Sequence, residues 1–161
     1  MKKALTLALL FITSSAFAQI EVQKEKPKDR LIGEVQLPNG SVTMKVLGEK
    51  IGGKDYVYLG YQNQEYKSIT DIKSAMFSAT DEDLDGLFGI LKEVIKTDKD
   101  KEIKLGTNYL LNASKFSDSS IFMYFYKGSI KHGYFTLSPA GLHRLFGKEF
   151  NKKEWEAYLK S

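Results

Sequence analysis

Hydrophobic and polar positions alternate along most of the chain beyond residue 30, with aromatic and β-branched residues enriched at the apolar places. A period of two is typical of β-strands that bury one face. The pattern predicts strands over 31–37, 41–47, 56–61, 65–69, 72–78, 102–105, 109–115, 120–127 and 130–137. Because short turns separate most of these segments, we expect an antiparallel sheet of about six to eight strands.

The turn at 128–129 predicts the clearest hairpin. It reads Gly-Ser, which places glycine at the first position of a two-residue turn. With this turn, Phe125 pairs with His132 and Met123 pairs with Tyr134. His132 is then expected beside Phe125, in or near the core.

Helical spacing replaces the alternation after Thr80. Apolar residues recur there at intervals of three and four, which places them on one face of a helix: Leu84, Leu87, Phe88, Leu91 and Ile95. Thr80 is a good N-cap, and the acidic residues behind it suit the positive end of the helix dipole. The sequence therefore predicts one main amphipathic helix over about 81–97.

Two short helices are predicted at the C-terminal end. Ser138 and Gly147 are the expected start and stop of the first helix. Asn151 is the expected cap of the second helix, whose Trp155 and Tyr158 share one face. Together with the strands, these helices predict an α+β fold.

Segments 80–89 and 138–147 resemble each other. Both have a hydroxyl residue, then leucine four residues on, then Leu-Phe-Gly at the end. Duplication of a β-β-α unit would explain the likeness. The alternative is that two amphipathic helices that follow strands share a cap and a leucine-phenylalanine stripe without common descent.

Residues 1–18 have the composition of a secretory signal peptide. Lys2 and Lys3 precede an apolar run over 4–12, and small residues lead to a cleavage site after Ala18. The run is too short to span a bilayer. We therefore expect a periplasmic or secreted protein with no integral membrane segment once the leader is removed.

The rest of the chain predicts a charged, flexible lead-in over 19–30 and a single α+β domain over 31–161. The chain contains no cysteine, which excludes disulfides and the acylated cysteine of a bacterial lipoprotein. The formal net charge is only +4, and the basic residues are interspersed with acidic ones. Without a basic stripe, we expect no nucleic-acid partner.

Asp81, Asp83 and Asp85, followed by Gly86, have the spacing of a calcium-binding loop. The position of the bidentate glutamate, however, is Lys92, which would repel a dication. Acidic residues also occur at helix N-termini without any metal. The sequence therefore predicts no metal and no cofactor, with the three aspartates as candidate calcium ligands if a cation does bind.

No motif predicts catalytic residues. His132 and His143 are the only histidines, and His143 is expected to be exposed. The sequence has no G-x-S-x-G nucleophile elbow and no zinc-binding histidine spacing. A pair of carboxylates assembled in space remains open, because such a pair leaves no local motif.

Aromatic residues supply the candidate binding surface. The strand over 120–127 is apolar on both faces, whereas a half-exposed antiparallel strand should be apolar on one. Either both faces are covered or one stays open to bind a partner, a role that suits tyrosine. The candidate surface residues are Tyr56, Tyr58, Tyr61, Phe122, Tyr124 and Tyr126.

The sequence thus predicts an exported, soluble, non-enzymatic binding or interaction module of the bacterial envelope or exterior. Its partner would be a protein or another envelope component. The alternatives are a small envelope hydrolase that uses paired carboxylates and a calcium-stabilised module that uses the 81–86 segment.

Overall fold

The computed structural model describes residues 29–66, 70–117 and 119–161. The predicted leader and most of the predicted lead-in therefore lie outside the described residues. The strands are β1 Arg30–Gln36, β2 Val42–Ile51, β3 Lys54–Gln62, β4 Ile72–Ser78, β5 Lys101–Leu105, β6 Tyr109–Ser117, β7 Ser120–Lys127 and β8 Ile130–Leu137. The helices are α1 Asp81–Thr97, α2 Pro139–Leu145 and α3 Lys152–Lys160.

The α+β class is confirmed, but the strands form two sheets and not one. Strands β1 to β4 form a four-stranded antiparallel sheet in chain order, and β5 to β8 form a second. The 17-residue helix α1 separates them. The chain therefore passes through α1 between the last strand of the first sheet and the first strand of the second.

The predicted strand over 65–69 is not a strand in its described part. Gln64 and Glu65 form a turn, and residues 67–69 lie outside the described ranges. This turn contacts the edge of β8, since the Gln64 amide N–H donates to the Tyr134 carbonyl oxygen over 2.9 Å. The Glu65 amide N–H donates to the Asn63 side-chain oxygen over 3.2 Å, so it does not enter a strand ladder.

One apolar cluster lies between the two sheets and the helices. The inner face of the first sheet contributes side chains such as Val57 and Phe77, and that of the second contributes Ile121 and Phe125. Leu91 of α1 is buried among them. Alternate residues of each strand and one stripe of the helix are therefore removed from water, as their spacing predicts.

Each helix start is capped as predicted. The Thr80 hydroxyl accepts a hydrogen bond from the Asp83 amide N–H over 3.2 Å, and the Asp83 carboxylate accepts one from the Thr80 amide over 2.8 Å. Ser138 caps α2 through the Gly141 amide, and Asn151 caps α3. Over the described residues, no helix is long and apolar enough to cross a membrane.

Candidate functional site

The outer face of the second sheet carries a run of aromatic side chains, which we call the aromatic face. It consists of Phe116, Phe122, Tyr124, Tyr126 and Tyr134. The aromatic face results from the alternation of β7. Ile121, Met123 and Phe125 are buried in the core, so the residues that alternate with them lie on the opposite, outer face of the sheet. The cross-strand pairing of Tyr124 with Tyr134 adds a residue of β8 to the same face.

The rings of the aromatic face form one continuous stack. Phe116 stacks on Phe122 with centroids 6.3 Å apart, and Phe122 stacks on Tyr134 at 4.8 Å. Tyr124 lies 6.1 Å from Tyr134 and 5.0 Å from Tyr126. Phe116 is 66% exposed, while the four others are half-buried. The stack is therefore open to water at Phe116 and partly open along the other four rings.

Polar groups border the rings. Asn112 on β6 lies directly opposite Tyr124, and Thr136 on β8 lies opposite Phe122. The side-chain oxygen of Asn112 and the hydroxyl of Tyr124 are shielded from water, yet neither has a hydrogen-bond partner. These two buried, unpaired polar atoms belong to residues on neighbouring strands of the aromatic face.

The charges around the aromatic face balance each other. Lys131 reaches over the ring of Tyr124 at 5.0 Å and donates to the Glu65 carboxylate at 2.9 Å. On the edge strand β5, Glu102 pairs across from Asn112, and Lys104 occupies the next row of the same face. The centre of the face therefore carries aromatic rings and neutral polar groups.

The six candidate surface residues do not form one surface. Phe122, Tyr124 and Tyr126 lie together on the aromatic face, whereas Tyr56 and Tyr58 lie on the outer face of the first sheet. Tyr61 is only 1% exposed and belongs to the core. Its ring packs against Phe125 and Phe135 with both centroid distances 5.0 Å.

Burial raises the pKa of the Tyr61 hydroxyl above its usual range. Tyr109 and Asp71 raise it further by unfavourable electrostatic interaction with the ionised form. Tyr61 therefore stays neutral and contributes to packing, and it offers nothing to a partner at the surface.

A β-bulge makes the predicted pairing of β7 with β8 wrong by one residue. Phe125 pairs with Gly133 and Met123 pairs with Phe135, because His132 is an extra residue opposite the Phe125–Tyr126 step. Gly133 has φ +132°, a conformation that residues with a side chain rarely adopt. The shift moves Tyr134 from the core face to the aromatic face.

His132 lies beside two tyrosine rings instead of beside Phe125. Its ring stacks on Tyr109 with centroids 5.7 Å apart and lies 6.2 Å from the ring of Tyr61. Burial lowers the pKa of His132, and the nearby charges of Lys73 and Lys127 lower it further, while Asp71 acts in the opposite direction. The imidazole is therefore held in its neutral form.

Asn63 joins the two sheets next to the bulge, and it is the only buried polar or charged residue within the described ranges. Its side-chain oxygen accepts from the amide N–H of Tyr134 at 3.0 Å and of Glu65 at 3.2 Å. Its side-chain nitrogen donates to the Asp71 carboxylate at 2.9 Å. A Cβ on Gly133 would lie 2.7 Å from the Asn63 Cγ, so the bulge provides the space for this side chain.

Sequence reasoning missed Phe116 and Tyr134. Phe116 lies two and four residues after Ser114 and Asn112, so the alternation of β6 places all three on the same face of the sheet. The sequence therefore could have placed Phe116 among the candidate surface residues. The alternation of β8 predicts Tyr134 on the opposite face, because the hydrophobic pattern does not mark the bulge. The one available signal was Gly133, since glycine inside a strand often marks a bulge or a close backbone approach.

Asp81, Asp83 and Asp85, the candidate calcium ligands, are engaged with three different partners. The Asp81 carboxylate binds the Arg30 guanidinium, which lowers the pKa of Asp81. Hydrogen bonds from Thr80 lower the pKa of Asp83, and the Asp85 carboxylate lies 2.7 Å from the Lys148 ammonium. Among the described residues, no group of three histidine, aspartate or glutamate side chains converges to hold a metal ion.

His143 is not simply exposed, contrary to expectation. Its Nδ1 lies 2.8 Å from the Pro139 carbonyl oxygen, and its ring meets three other rings edge-on. These rings are Phe88 at 4.9 Å, Phe150 at 5.2 Å and Trp155 at 5.7 Å. His143 thus helps to dock α3 against α1 and α2.

Charged residues also line a cleft of about 300 Å³ at the open end of the first sheet. Its acidic and basic side chains include the Arg30–Asp81 pair and Lys50, whose ammonium lies 3.8 Å from the Asp55 carboxylate. A general acid needs a raised carboxyl pKa. Within the described ranges the carboxyl pKa values that are shifted, those of Asp71, Asp81 and Asp83, are all lowered.

Comparison with known proteins gives no family for this chain. No protein-family model matches it, and no curated protein or solved structure is significantly similar to it. The function must therefore be inferred from the surface of the molecule.

Proposed function

We propose that this chain is an exported, soluble, non-enzymatic binding module of the bacterial envelope or exterior, and that it binds its partner on the aromatic face. The observation that carries the proposal is the stack of five aromatic rings on the second sheet, which is exposed at Phe116 and half-buried along the rest. Outward-facing positions of an antiparallel sheet are normally polar when they meet water. Exposed aromatic surface is typical of interaction sites.

Export is supported by the pattern of residues 1–18, with delivery to the periplasm or the medium. Because the chain has no cysteine, the oxidising conditions found there form no disulfides in it. Its stability then rests on the apolar cluster between the sheets.

Removing one ring tests the surface assignment. The variant Phe122→Ser deletes the ring at the centre of the stack, and Tyr58→Ser is the matched control on the outer face of the first sheet. Burial of a phenylalanine side chain contributes about 1.5–3 kcal/mol. We therefore expect Phe122→Ser to weaken co-sedimentation with isolated envelope and extracellular material by roughly tenfold or more.

Tyr58→Ser should bind as the unchanged protein does. Circular dichroism of both variants establishes that they are folded. Equal loss of binding in both variants, or undiminished binding by folded Phe122→Ser, would contradict the assignment of the site.

We also infer that the two halves of the chain derive from duplication of a unit with strands followed by a helix. In each half a four-stranded meander leads into a helix capped by a hydroxyl residue, Thr80 or Ser138. The shared Leu-x-x-Leu-Phe-Gly pattern supports the same relation. Sequences from related organisms test it, since the shared positions should be more alike between the halves in early-branching members.

A further inference from the structure

We infer that Asn39 is a modification site, at which the side-chain amide is converted to aspartate and isoaspartate through a cyclic imide. No enzyme is required, because water is the only co-reactant. The inference is independent of the aromatic face and of the proposed function. It follows from the place of Asn39 and Gly40 in the exposed turn between β1 and β2.

The turn leaves the reacting groups open to solvent. Every residue over 37–42 is exposed. Beyond the two chain neighbours of Gly40, no described atom lies within 4 Å of the place that a Cβ on Gly40 would take. Gly40 has φ +83°, which glycine adopts without strain. The backbone nitrogen of Gly40 is therefore free of obstruction by a side chain.

This nitrogen is the nucleophile of the modification. After losing its proton to water or hydroxide, it attacks the Asn39 Cγ and closes the imide ring. The bond from Cγ to Nδ2 breaks, and Nδ2 leaves as ammonia with a proton from water. Water then opens the ring at either carbonyl, which gives aspartate or isoaspartate. The net reaction consumes water and releases ammonia.

The hydrogen bonds of the turn act on both reacting groups. The Ser41 amide N–H donates to the Asn39 Oδ1 over 3.0 Å, and this bond stabilises the negative charge that develops on the oxygen during the attack. The Gly40 amide N–H donates to the Leu37 carbonyl oxygen over 2.9 Å and must be released first. A hydrogen bond that water replaces adds little net stability, so the turn should slow the reaction by no more than roughly tenfold.

The other four asparagines lack this combination. Asn63 is 2% exposed, Asn112 lies within β6, and the side-chain oxygen of Asn151 caps α3. Asn108 is exposed in a turn, but the residue that follows it is Tyr109, whose side chain hinders the attacking nitrogen. Asn108 is therefore an internal control for exposure without glycine.

Asp85 and Gly86 are an internal control for conformation. An aspartate followed by glycine can close the same ring by loss of water. This pair lies within α1, where the helix engages the backbone nitrogen of each residue in a hydrogen bond. We therefore expect Asp85 to keep its normal linkage.

Modification changes the charge and the backbone of the turn. A carboxylate replaces a neutral amide, and the sequence has no other charged side chain over 37–42. In isoaspartate the backbone runs through Cγ and is longer by one carbon atom. The bond from the Leu37 amide N–H to the Ser41 carbonyl oxygen, 2.9 Å in the unmodified turn, then loses its register. We expect this end of the β1–β2 hairpin to open.

Peptide mapping by mass spectrometry tests the inference on the purified, folded protein incubated at mildly alkaline pH. Electron-transfer fragmentation distinguishes isoaspartate from aspartate. We expect both products at Asn39, while Asn108 stays an amide and Asp85 stays in its normal linkage. A synthetic peptide of residues 36–43 gives the reference rate, and the folded protein should react within roughly tenfold of it.

Two glycine variants separate the attack from general strain. Gly40→Ala places a methyl group beside the attacking nitrogen and should slow the modification of Asn39 by roughly tenfold or more. Gly52→Ala strains the next turn in the same way, because Gly52 has φ +57° and open space around it, and should leave the rate at Asn39 unchanged. Circular dichroism establishes that both variants are folded.

Three results would overturn the inference. The first is an intact Asn39 after an incubation that converts the synthetic peptide. The second is aspartate without isoaspartate, since direct hydrolysis of the amide gives only aspartate. The third is an undiminished rate in folded Gly40→Ala.

Discussion

Replacing Asn63 by alanine should destabilise the protein more than any other single substitution of an asparagine in its described part. Asn63 is 2% exposed, and its side-chain oxygen is the acceptor for the Tyr134 amide N–H at the edge of β8. Alanine leaves this N–H without a partner, at a cost of about 1–3 kcal/mol. The other two bonds of the Asn63 side chain reach Glu65 and Asp71 at the surface, where water replaces the lost partner.

We therefore expect Asn63→Ala to lower the free energy of unfolding by about 2 kcal/mol. For a chain of this size the melting temperature should fall by roughly 8 °C. Urea unfolding followed by circular dichroism measures the change, and Asn112→Ala is the matched control. The Asn112 oxygen has no partner to lose, so the control should change by less than about 0.5 kcal/mol.

Gly133 provides a second test of the same contact. Gly133→Ala should cost about 1–3 kcal/mol, because φ is +132° and the new Cβ meets the Asn63 side chain at 2.7 to 3.0 Å. Deleting the Asn63 side chain relieves that clash, so the double variant should be more stable than the sum of the single effects by at least about 0.5 kcal/mol. Strict additivity, or an Asn63→Ala variant as stable as the unchanged protein, would refute this account of the join between the sheets.

Three further predictions concern the helix cap, the histidine and calcium. Thr80→Ala should lower the free energy of unfolding, measured by urea titration, by about 1 kcal/mol, because it removes the N-cap of α1. Thr80→Ser should lower it by much less, because serine keeps the cap. Equal losses in the two variants would argue against the cap. The pKa of His132 is lowered in the folded state, so its contribution to stability is fully present above its unfolded pKa of 6.5 and is lost as pH falls from there through the lower folded pKa. Urea midpoints should therefore fall from about pH 8 to pH 5, and His132→Gln should flatten this dependence; an NMR titration that places the pKa above 6.5 would contradict it. The melting temperature should not respond to millimolar calcium or to EDTA, since Asp81, Asp83 and Asp85 each have another partner, and a calcium-dependent rise would show that these carboxylates can converge.

The sequence by itself determined most of the elements. Period-two alternation located the eight strands within a few residues but also predicted a strand over 65–69 that is absent from the described residues 65 and 66. The spacing from Leu84 to Ile95 located α1. The hydroxyl and amide caps marked the start of every helix. These features depend on neighbouring residues only, because alternation, helical spacing and capping are properties of a short stretch of chain.

The sequence could indicate one property of the candidate site but not the other. That Phe122, Tyr124 and Tyr126 share one face follows from alternation alone. Whether that face is covered depends on where the other elements pack. The sequence therefore left both possibilities open, and in the tertiary structure Phe122, Tyr124 and Tyr126 are half-buried while Phe116 at the end of the stack is exposed.

Only the tertiary structure decided how distant segments meet. The division into two sheets, the burial of Tyr61 and the docking of His143 against Trp155 all depend on contacts between residues far apart in the chain. The bulge at His132 is of the same kind. It is tolerated because Gly133 accepts the conformation and because Asn63, about 70 residues earlier, fills the space beside it and accepts the hydrogen bond of Tyr134. A pattern read along one strand contains no record of such a partner, and a shift of one residue then exchanges the two faces of the sheet.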